Sequence, residues 1–340
     1  MINEKITKYK QWLLNQCINT NSAKQLMRND EINQDIIRLA YLLLLGRNPE
    51  SDAAIKSHLS LSTITQLRTH MMNSPEFKAM QFQSQFNSHS KWVSVDVLDR
   101  FTQWVDLHDR FVSQGCLNDD WEPSETSYFI SKLKSGDVVL DIGANIGWFT
   151  LVAAKHIGPN GIVHAFEPRP ETAKMLKRTI KDNALDNQVS VWELALSDSV
   201  GTLDLVWSKD TDNPGGSFVA GKNTNIAQFD SARIIAKPFD EVLPDIAPDV
   251  IKIDVEGAEP KVMMGMQNAL KRKHPPILSE LFPAQLKSVS GVTAAEYINQ
   301  MKSYGYNCYL LDNGVPTKKL VDFPTNHVGN LVSVVFERNE

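Results

Sequence analysis

The chain has few cysteines, and their arrangement excludes a fold held together by disulfides. Cys17, Cys116 and Cys308 are the three cysteines among 340 residues; they are far apart and odd in number. They form no C-x-x-C pair, which predicts a reducing compartment and argues against a disulfide framework. A chain of this length can bury a large core without such crosslinks.

Long apolar runs are also absent from the sequence. The longest one, residues 40–45, is far too short to span a bilayer. The first ten residues, MINEKITKYK, are charged and polar and lack the apolar region of a secretory signal. We therefore expect a cytoplasmic protein without a transmembrane segment.

The sequence lacks an excess of basic charge. It has 35 basic and 40 acidic residues, a net charge of −5 and an isoelectric point near 5.9. This balance argues against a nucleic-acid partner held mainly through phosphate contacts. The eight histidines are scattered and form no cluster with cysteine, so the pattern does not favour a zinc site.

The length predicts about two domains, and the first of them is helical. Residues 1–85 carry apolar side chains at helical spacing, as at Ile32, Ile36 and Leu39, and show no strand pattern. Ser51 or Asp52 is placed to cap a second helix and Thr63 a third.

Glutamine, asparagine and serine accumulate after this helical part, from residue 81 to residue 90. The change in composition predicts a connector over residues 86–118. The chain therefore divides into a helical accessory domain over residues 1–85, the connector, and a second domain over residues 119–340.

The second domain alternates short apolar runs with helical stretches. The predicted strands cover residues 137–142, 162–166, 189–194, 250–253 and 277–281, and the predicted helices cover residues 148–156, 171–181, 258–272 and 293–304. This alternation predicts an α/β fold with a parallel sheet covered on both faces. Two final strand-like runs, 306–311 and 331–337, have no helix between them and predict an antiparallel hairpin at one edge.

A glycine loop follows the first strand of this domain. Asp141, Gly143, Asn145 and Gly147 form the pattern D-x-G-x-N-x-G, in which glycine lets the backbone turn sharply and approach a ligand. The spacing G-x-G-x-x-G is absent, which disfavours an NAD dehydrogenase. Glu167 ends the second strand, where a carboxylate can accept hydrogen bonds from ribose hydroxyls. A nucleoside with a cationic tail, such as S-adenosylmethionine (SAM), fits this pattern.

A second group of acids surrounds the fourth and fifth strands. Asp254 and Glu256 follow the fourth strand beside a glycine, and Glu280 interrupts the apolar run ILSELF. Ligands bind at the carboxyl ends of strands in open α/β sheets, and a buried carboxylate needs a partner or a task. These three acids are candidates for removing a proton from an acceptor hydroxyl or for orienting it. For Glu259 a favourable position at a helix N-terminus is sufficient explanation.

Two alternatives to these acids stay open in the sequence. Hard cations prefer oxygen ligands, so a divalent metal held by the acids is one alternative, although we predict no metal ligand. The other is a histidine base, for which His89, His108 and His327 are the candidates. His164 lies within a strand and is expected to belong to the core.

Five segments together resemble the FkbM family of SAM-dependent methyltransferases, from about residue 119 to residue 340. They are WEPSE, DVVLDIGANIGWFTL, HAFEPRPETAKML, DVIKIDVEGAEPKVMMGM and ILSELFP. The resemblance implies a Rossmann-like class I methyltransferase fold and methyl transfer, usually to an oxygen. It implies a set of cofactor-binding residues: Glu122, Asp141, Gly143, Asn145, Gly147, Glu167 and, on the adenine side, Ser197 and Asp198. Residues 210–229 align loosely with the family, and acceptor specificity is expected there.

The helical part carries a fainter resemblance. The segments LLGRNP (residues 44–49) and SPEF (residues 74–77) resemble a small helical domain, distantly phycobilisome-linker-like, that is found beside sugar-modifying enzymes. It implies a packing unit that supports a homo-oligomer or contacts a glycan-assembly partner.

Together these features predict an O-methyltransferase acting on a sugar hydroxyl of a cell-surface polysaccharide, of the O-antigen or exopolysaccharide type, or of its precursor. A secondary metabolite or a lipid is the alternative acceptor, and a non-catalytic nucleotide-binding adaptor is the alternative from another class.

Overall fold

The computed structural model describes residues 32–45, 47–74, 76–77, 91–109, 111–208, 216–221, 224–324, 327 and 330–338. The chain divides into two compact units, Met1–His89 and Ser90–Glu340. No helix within the described residues is long and apolar enough to cross a membrane. Cys116 and Cys308 are buried free thiols, whereas Cys17 lies outside the described residues.

The first unit is a small helical bundle. Its helices are α1 (Gln34–Ala40), which continues into a π-helical turn at Tyr41–Leu45, α2 (Asp52–His58) and α3 (Ile64–Met72). The side chains of Ser51 and Thr63 accept hydrogen bonds from the amides of Ala54 and Gln66, so both predicted caps are confirmed. The helices enclose a core of apolar side chains: Ile36, Ile37, Tyr41, Leu45, Ile55, Leu67 and Met71.

The second unit contains fourteen strands within its described residues. They are β1 (Trp92–Val97), β2 (Phe101–Asp106), β3 (Val138–Ile142), β4 (Ile162–Phe166), β5 (Val189–Trp192), β6 (Ala195–Leu196), β7 (Gly201–Ser208), β8 (Phe218–Val219), β9 (Phe229–Lys237), β10 (Val250–Ile253), β11 (Ile277–Leu281), β12 (Tyr306–Asp312), β13 (Val315–Leu320) and β14 (Val332–Arg338).

The helices of this unit are numbered on from the first. They are α4 (Val112–Leu117), α5 (Pro123–Lys132), α6 (Trp148–Ile157), α7 (Pro170–Asp182), α8 (Phe239–Val242), α9 (Glu259–Met264), α10 (Gln267–Lys273), α11 (Pro283–Gln285) and α12 (Ala294–Ser303). A capping box begins α12, because Thr293 and Glu296 bond each other's backbone amides.

The central sheet has eight strands in the order β13-β12-β14-β11-β10-β3-β4-β5. The five strands from β11 to β5 are parallel, and two apolar clusters cover the two faces of the sheet. This is the predicted Rossmann-like arrangement. The order of the first strands brings the carboxyl ends of β10, β3 and β4 side by side, which is where ligands bind in such sheets.

The antiparallel edge differs in detail from the prediction of one hairpin. β12 pairs with β13 through the Asp312-Asn313-Gly314 turn, and β14 then returns between β12 and β11. β14 is apolar along most of its length and takes an interior position, whereas the polar, proline-containing β13 takes the edge.

The predicted helix 258–272 is two helices, α9 and α10. Gly265 lies between them, and a Cβ at this position would lie 1.9 Å from the backbone oxygen of Ser197. The chain therefore bends where the loop after β6 touches it, a contact between distant segments that helical spacing does not reveal.

The segment predicted as a connector is folded where the structure describes it. β1 and β2 form an antiparallel hairpin that packs, with α4, within the second unit. The Gln103 side chain is fully buried and donates to the backbone oxygen of Ile146 in the glycine loop (3.0 Å). Trp104 donates to Asp182 of α7 (2.8 Å), and the Arg178 guanidinium lies 3.5 Å from its ring centre. A lone hairpin is marginally stable, so this one depends on α7.

Between β5 and β10 the chain forms a separate four-stranded sheet in the order β6-β9-β7-β8. β7 and β9 pair over eight residues, and a small apolar cluster that includes Leu205 and Ile234 supports them. This insertion sheet contains the described part of the segment that aligned loosely with the family.

We expect a chain that starts at Ser90 to fold and to retain the cofactor affinity of the full chain, because β1 and β2 stay intact. A chain that starts at Asp119 should unfold at a lower temperature, because it exposes the surface of α7 that the hairpin covers. Circular dichroism and calorimetry with SAM measure both. A folded chain from Ser90 that does not bind SAM would contradict the division into two modules.

Candidate functional site

The glycine loop joins β3 to α6 at the carboxyl edge of the sheet. Gly143 has a φ of +81°, and a Cβ there would lie 1.8 Å from the backbone oxygen of Asp254. Gly147 has a φ of +96°, and its Cβ would lie 2.4 Å from Leu176. Both positions therefore require glycine, the first because the loop lies directly against the segment that leaves β10.

A cleft opens at this edge between the glycine loop, the end of β4 and the insertion sheet. Five of the predicted site residues line it: Gly143, Asn145, Glu167, Asp254 and Glu256. The remaining wall is mostly apolar and is formed by Ile142, Phe166, Pro168, Leu194, Ala195, Leu196, Leu205, Phe218, Val219, Val255 and Ala258, with Arg169, Thr172 and Ser217 as polar members. A largely apolar cleft with a few convergent polar groups is typical of a small-molecule site.

Glu167 is held rigidly at the end of β4. Its Oε2 accepts from the amide of Asn145 (2.9 Å) and its Oε1 accepts from the amide of Arg169 (2.8 Å). Burial raises the pKa of Glu167 to about 7, although the two amides act in the opposite direction. The carboxylate thus ties the glycine loop to β4 and presents its remaining acceptor positions to the cleft.

Asp141 does not line the cleft. It is buried beside β10, opposite Lys252 in the strand register, and its Oδ2 accepts from the Thr150 hydroxyl (2.5 Å). Burial raises the pKa of Asp141, and Lys252 opposes that effect. Its contacts connect β3 with α6 and β10, so its assignment to a ligand's ammonium group stays a prediction.

Ser197 and Asp198 also lie outside the cleft lining. The Ser197 hydroxyl donates to Asp198 (3.1 Å), and the Ser197 amide donates to the backbone oxygen of Lys237 (3.0 Å). The wall of the cleft on this side comes from residues 194–196, immediately before them. Their adenine-side role stays a prediction.

A cluster of acids adjoins the cleft. Carboxylate oxygens of Glu122, Asp254 and Glu280 lie within 4.8 Å of one another, from the start of α5, the end of β10 and β11. Asp254 belongs both to this acid cluster and to the residues that line the cleft. The sequence assigned Glu122 to the cofactor, but the structure places it in this acid cluster and not in the cleft lining.

The environment keeps several of these acids protonated at neutral pH. Burial, reinforced by the charge of Asp254, raises the pKa of Glu256 to about 8 and that of Glu280 to about 10. Burial raises the pKa of Glu122 to about 7, and Lys252 opposes it. Glu256 and Glu280 therefore act as hydrogen-bond donors near pH 7, while Asp254 has an ammonium partner: Lys252 Nζ lies 3.1 Å from its Oδ2.

Glu259 shapes the turn after β10. Its Oε1 accepts from the amides of Val255 (3.1 Å) and Gly257 (3.3 Å), and its side chain is buried. The Ser290 hydroxyl donates to the backbone oxygen of Gly257 (2.6 Å), which fastens this turn to the segment after β11. The turn fixes the backbone on which Asp254 and Glu256 lie.

Lys252 and Arg169 are the charged residues here to which sequence reasoning gave no role. Arg169 follows Glu167 closely, and its guanidinium lies 4.3 Å from the centre of the Trp207 ring of β7. Its position two residues after Glu167 in the sequence could have identified Arg169 as a candidate site residue. Phe218 and Val219 lie within residues 210–229, where acceptor specificity is expected, but no local pattern singled them out, because a long-range fold brings them to the cleft.

Among the histidines that the structure describes, none lines the cleft. His164 is buried in β4, where it accepts from Trp192 Nε1 (3.3 Å), and burial lowers its pKa. His108 is exposed, and His327 bonds the backbone oxygen of Leu331 (2.9 Å). His89 lies outside the described residues.

Comparison with known proteins places this site in a family context. Residues 141–308 match the methyltransferase FkbM domain. The chain is 30% identical over 168 residues to methyltransferase sdnD of Sordaria araneosa, covering 41% of this chain and 64% of that protein. It is 29% identical over 173 residues to the 31-O-demethyl-FK506 methyltransferase FkbM of Streptomyces tacrolimicus, covering 41% and 62%. It is 27% identical over 146 residues to the hexuronic acid methyltransferase AglP of Haloferax volcanii, covering 42% and 55%.

The chain spans less than two thirds of the length of each of these relatives. The family match does not reach the helical unit, whose linker-like resemblance gains no support from it. The matched region contains the glycine loop, Glu167, the turn after β10 and Glu280. Residues 141–308 of this chain are therefore similar to a methyltransferase domain of the FkbM type.

Proposed function

We propose that this protein transfers a methyl group from SAM to a hydroxyl oxygen of a sugar in a cell-surface polysaccharide or its precursor. The observation that carries the proposal is the position of Asp254. It lines the cleft beside Gly143 and also belongs to the acid cluster, so one carboxylate connects a nucleoside cleft with a proton-accepting centre.

The cleft fits SAM by its chemistry. Glu167 offers acceptor positions suited to ribose hydroxyls, and the apolar wall from residues 194–196 and the insertion sheet suits an adenine ring. Gly143 admits a ligand close to the backbone, and the carboxylates at the edge favour a cationic ligand. When bound, SAM supplies an electrophilic methyl group on a sulfonium.

The residues around Asp254 are arranged to prepare a hydroxyl for attack. Methyl transfer is an in-line displacement, so holding the acceptor oxygen in line contributes much of the rate. Asp254 accepts the hydroxyl proton as the new bond forms. Glu256 and Glu280, protonated near neutral pH, hold the acceptor by donating hydrogen bonds, and Glu122 closes the cluster at the start of α5.

The names of two relatives support an oxygen as the acceptor atom and a sugar as the acceptor molecule. The name of one relative specifies an O-demethyl substrate, and that of another a hexuronic acid. A macrolide-type secondary metabolite is the second candidate acceptor, which the first of these names favours. The helical unit is then an accessory module for contact with a second copy of the chain or with a glycan-assembly partner.

Glu167→Gln should weaken SAM binding by about 1–3 kcal/mol, the scale for a hydrogen bond to a charged group. Because burial raises the pKa of Glu167 to about 7, the wild-type affinity should fall as the pH drops below 7, where the carboxylate that accepts the ribose hydrogen bonds becomes protonated. Glu167→Gln should lose this pH dependence. Calorimetry with SAM between pH 5.5 and 8.5 measures both effects.

Glu193→Gln is the matched control for this prediction. Glu193 is exposed, pairs with Lys177 (2.8 Å) and lies outside the cleft lining. Unchanged SAM affinity in Glu193→Gln, with weakened affinity in Glu167→Gln, supports the cleft as the cofactor site. Unchanged affinity in a folded Glu167→Gln variant would place the ribose elsewhere.

Asp254→Asn should lower kcat by about 10²–10⁴-fold, the usual contribution of a general base, with little change in SAM affinity. Glu256→Gln and Glu280→Gln should have smaller effects, because an amide can replace a protonated carboxyl group as a donor. The measurement is transfer of a labelled methyl group from SAM to a panel of hexuronic acids, neutral sugars and a macrolide, with full kinetics on the best acceptor.

The same panel tests the acceptor class. Turnover on a sugar supports the proposal, and turnover on the macrolide alone replaces the sugar by a secondary metabolite. If all three amide variants keep full kcat, the acid cluster is not the proton acceptor, and His108 and His327 become the residues to test. SAM binding without turnover on any acceptor would favour the adaptor.

A further inference from the structure

Lys252 is buried at the centre of the acid cluster. It lies on β10 between β3 and β11, and only 6% of its surface is exposed. Its ammonium lies 3.1 Å from Asp254 Oδ2 and 4.8 Å from the centre of the Phe149 ring of α6. A lysine with these contacts is held in one place, because its ammonium has both a carboxylate and an aromatic ring as partners.

The surroundings of this ammonium are strongly acidic. Burial lowers the pKa of Lys252, but Asp254, Glu122, Asp141 and Glu280 together raise it well above its ordinary value. These acids come from four elements: β10, α5, β3 and β11. Asp254 in turn helps burial to raise the pKa of Glu256, in the turn after β10, and of Glu259, at the start of α9. Lys252 therefore stays protonated wherever the protein is folded near neutral pH.

A group of carboxylates this dense requires a cation to remain partly ionised. Burial, reinforced by like charges so close together, pushes protons back onto the acids, as Glu256 and Glu280 show. Asp254 has the direct ammonium contact, and its amide also donates to the backbone oxygen of Ile142 (2.9 Å), so both its backbone and its side chain are fixed.

We infer that Lys252 is the positioning residue of the transfer reaction and the resident cation of the Glu122–Asp254–Glu280 cluster, holding the Asp254 side chain where it belongs to both the cluster and the cleft lining. The inference rests on the proposed function and specifies how its base is prepared. It also assigns to Lys252 the charge that a divalent metal bound by these acids would supply.

The methyl transfer needs no reactant beyond SAM, the acceptor hydroxyl and Asp254. The acceptor oxygen forms a bond to the methyl carbon as the carbon–sulfur bond breaks, and the bonding pair stays on sulfur. The hydroxyl proton moves to Asp254, and the products are a methyl ether and the neutral thioether. Lys252 keeps its proton throughout and neutralises part of the acid charge before the proton arrives.

Lys252→Met is the principal test, with Lys261→Met as the matched control. Lys261 lies on α9, and its ammonium donates to the backbone oxygen of Val289 (2.8 Å). Lys252→Met should lower kcat by roughly 10²-fold, and SAM affinity should stay within about threefold. The acidic limb of its pH–rate profile should move up by about one to three units, because the anion of the base has lost its partner. Lys261→Met should change none of these.

Two further variants keep the test decisive. Lys252→Arg preserves the charge and should recover at least part of the lost kcat with a near wild-type pH profile. If Lys252→Met does not fold, Lys252→Gln takes its place. A folded neutral variant with wild-type kcat and pH profile would overturn the inference.

A measurement without an acceptor separates this inference from the proposed function. In ¹⁵N-lysine-labelled protein, the Lys252 ammonium should give a slowly exchanging proton signal, identified by its loss in Lys252→Met. The signal should exchange faster in Asp254→Asn. If it is seen but no acceptor is methylated, the pairing stands and the proposed function fails.

Metal titration completes the test. EDTA and added Mg²⁺ should leave the turnover of the wild-type protein unchanged. Turnover that EDTA abolishes and Mg²⁺ restores would overturn the assignment of Lys252 as the resident cation.

Discussion

The buried pair of Lys252 and Asp254 is the constraint on which the architecture of the site depends. β10 is apolar apart from this lysine and lies in the middle of the sheet, so the ammonium must find its partners inside the protein. Acids from α5, β3, β11 and the end of β10 surround the ammonium, and one of them, Asp254, also lines the cleft. Removing either partner would leave a charge buried without compensation, which is far more costly than losing an exposed ion pair.

The backbone near this pair is as constrained as the side chains. Gly143 touches the backbone of Asp254 so closely that no side chain fits between them. The two glycine-containing turns, after β3 and after β10, are therefore one structural feature. Glu167 on one side and Glu259 on the other each fix a turn through two backbone amides, so these two acids hold the backbone that borders the cleft.

The insertion sheet and the hairpin lie outside the central sheet and make different contributions to the site. The insertion sheet contributes side chains to the wall of the cleft, including Phe218 and Val219, and so can vary the ligand without altering the central strands. The hairpin contributes support, because Gln103 bonds the glycine loop from behind and Trp104 is anchored to α7. Both additions act on the glycine loop or on the cleft that it borders.

The sequence by itself determined the parallel strands, the glycine loop and the acids that follow β4 and β10. These features are local: short apolar runs, glycines with a required φ, and helix caps such as Ser51, Thr63 and Thr293 follow from neighbouring residues. The family resemblance implied Gly143, Asn145 and Glu167 as cofactor residues, and the acids that follow β10 indicated Asp254 and Glu256. All five line the cleft.

Only the tertiary structure decided which of these groups act together. Glu122, which the resemblance assigns to the cofactor, lies in the acid cluster, because its carboxylate is within 4.8 Å of those of Asp254 and Glu280, from segments more than a hundred residues away. No sequence pattern assigned a role to Lys252. In the structure its side chain is buried, and its ammonium pairs with Asp254 among acids from four neighbouring segments. The hairpin within residues 86–118 was missed since its strands are stable only against α7, and no local pattern contains that surface.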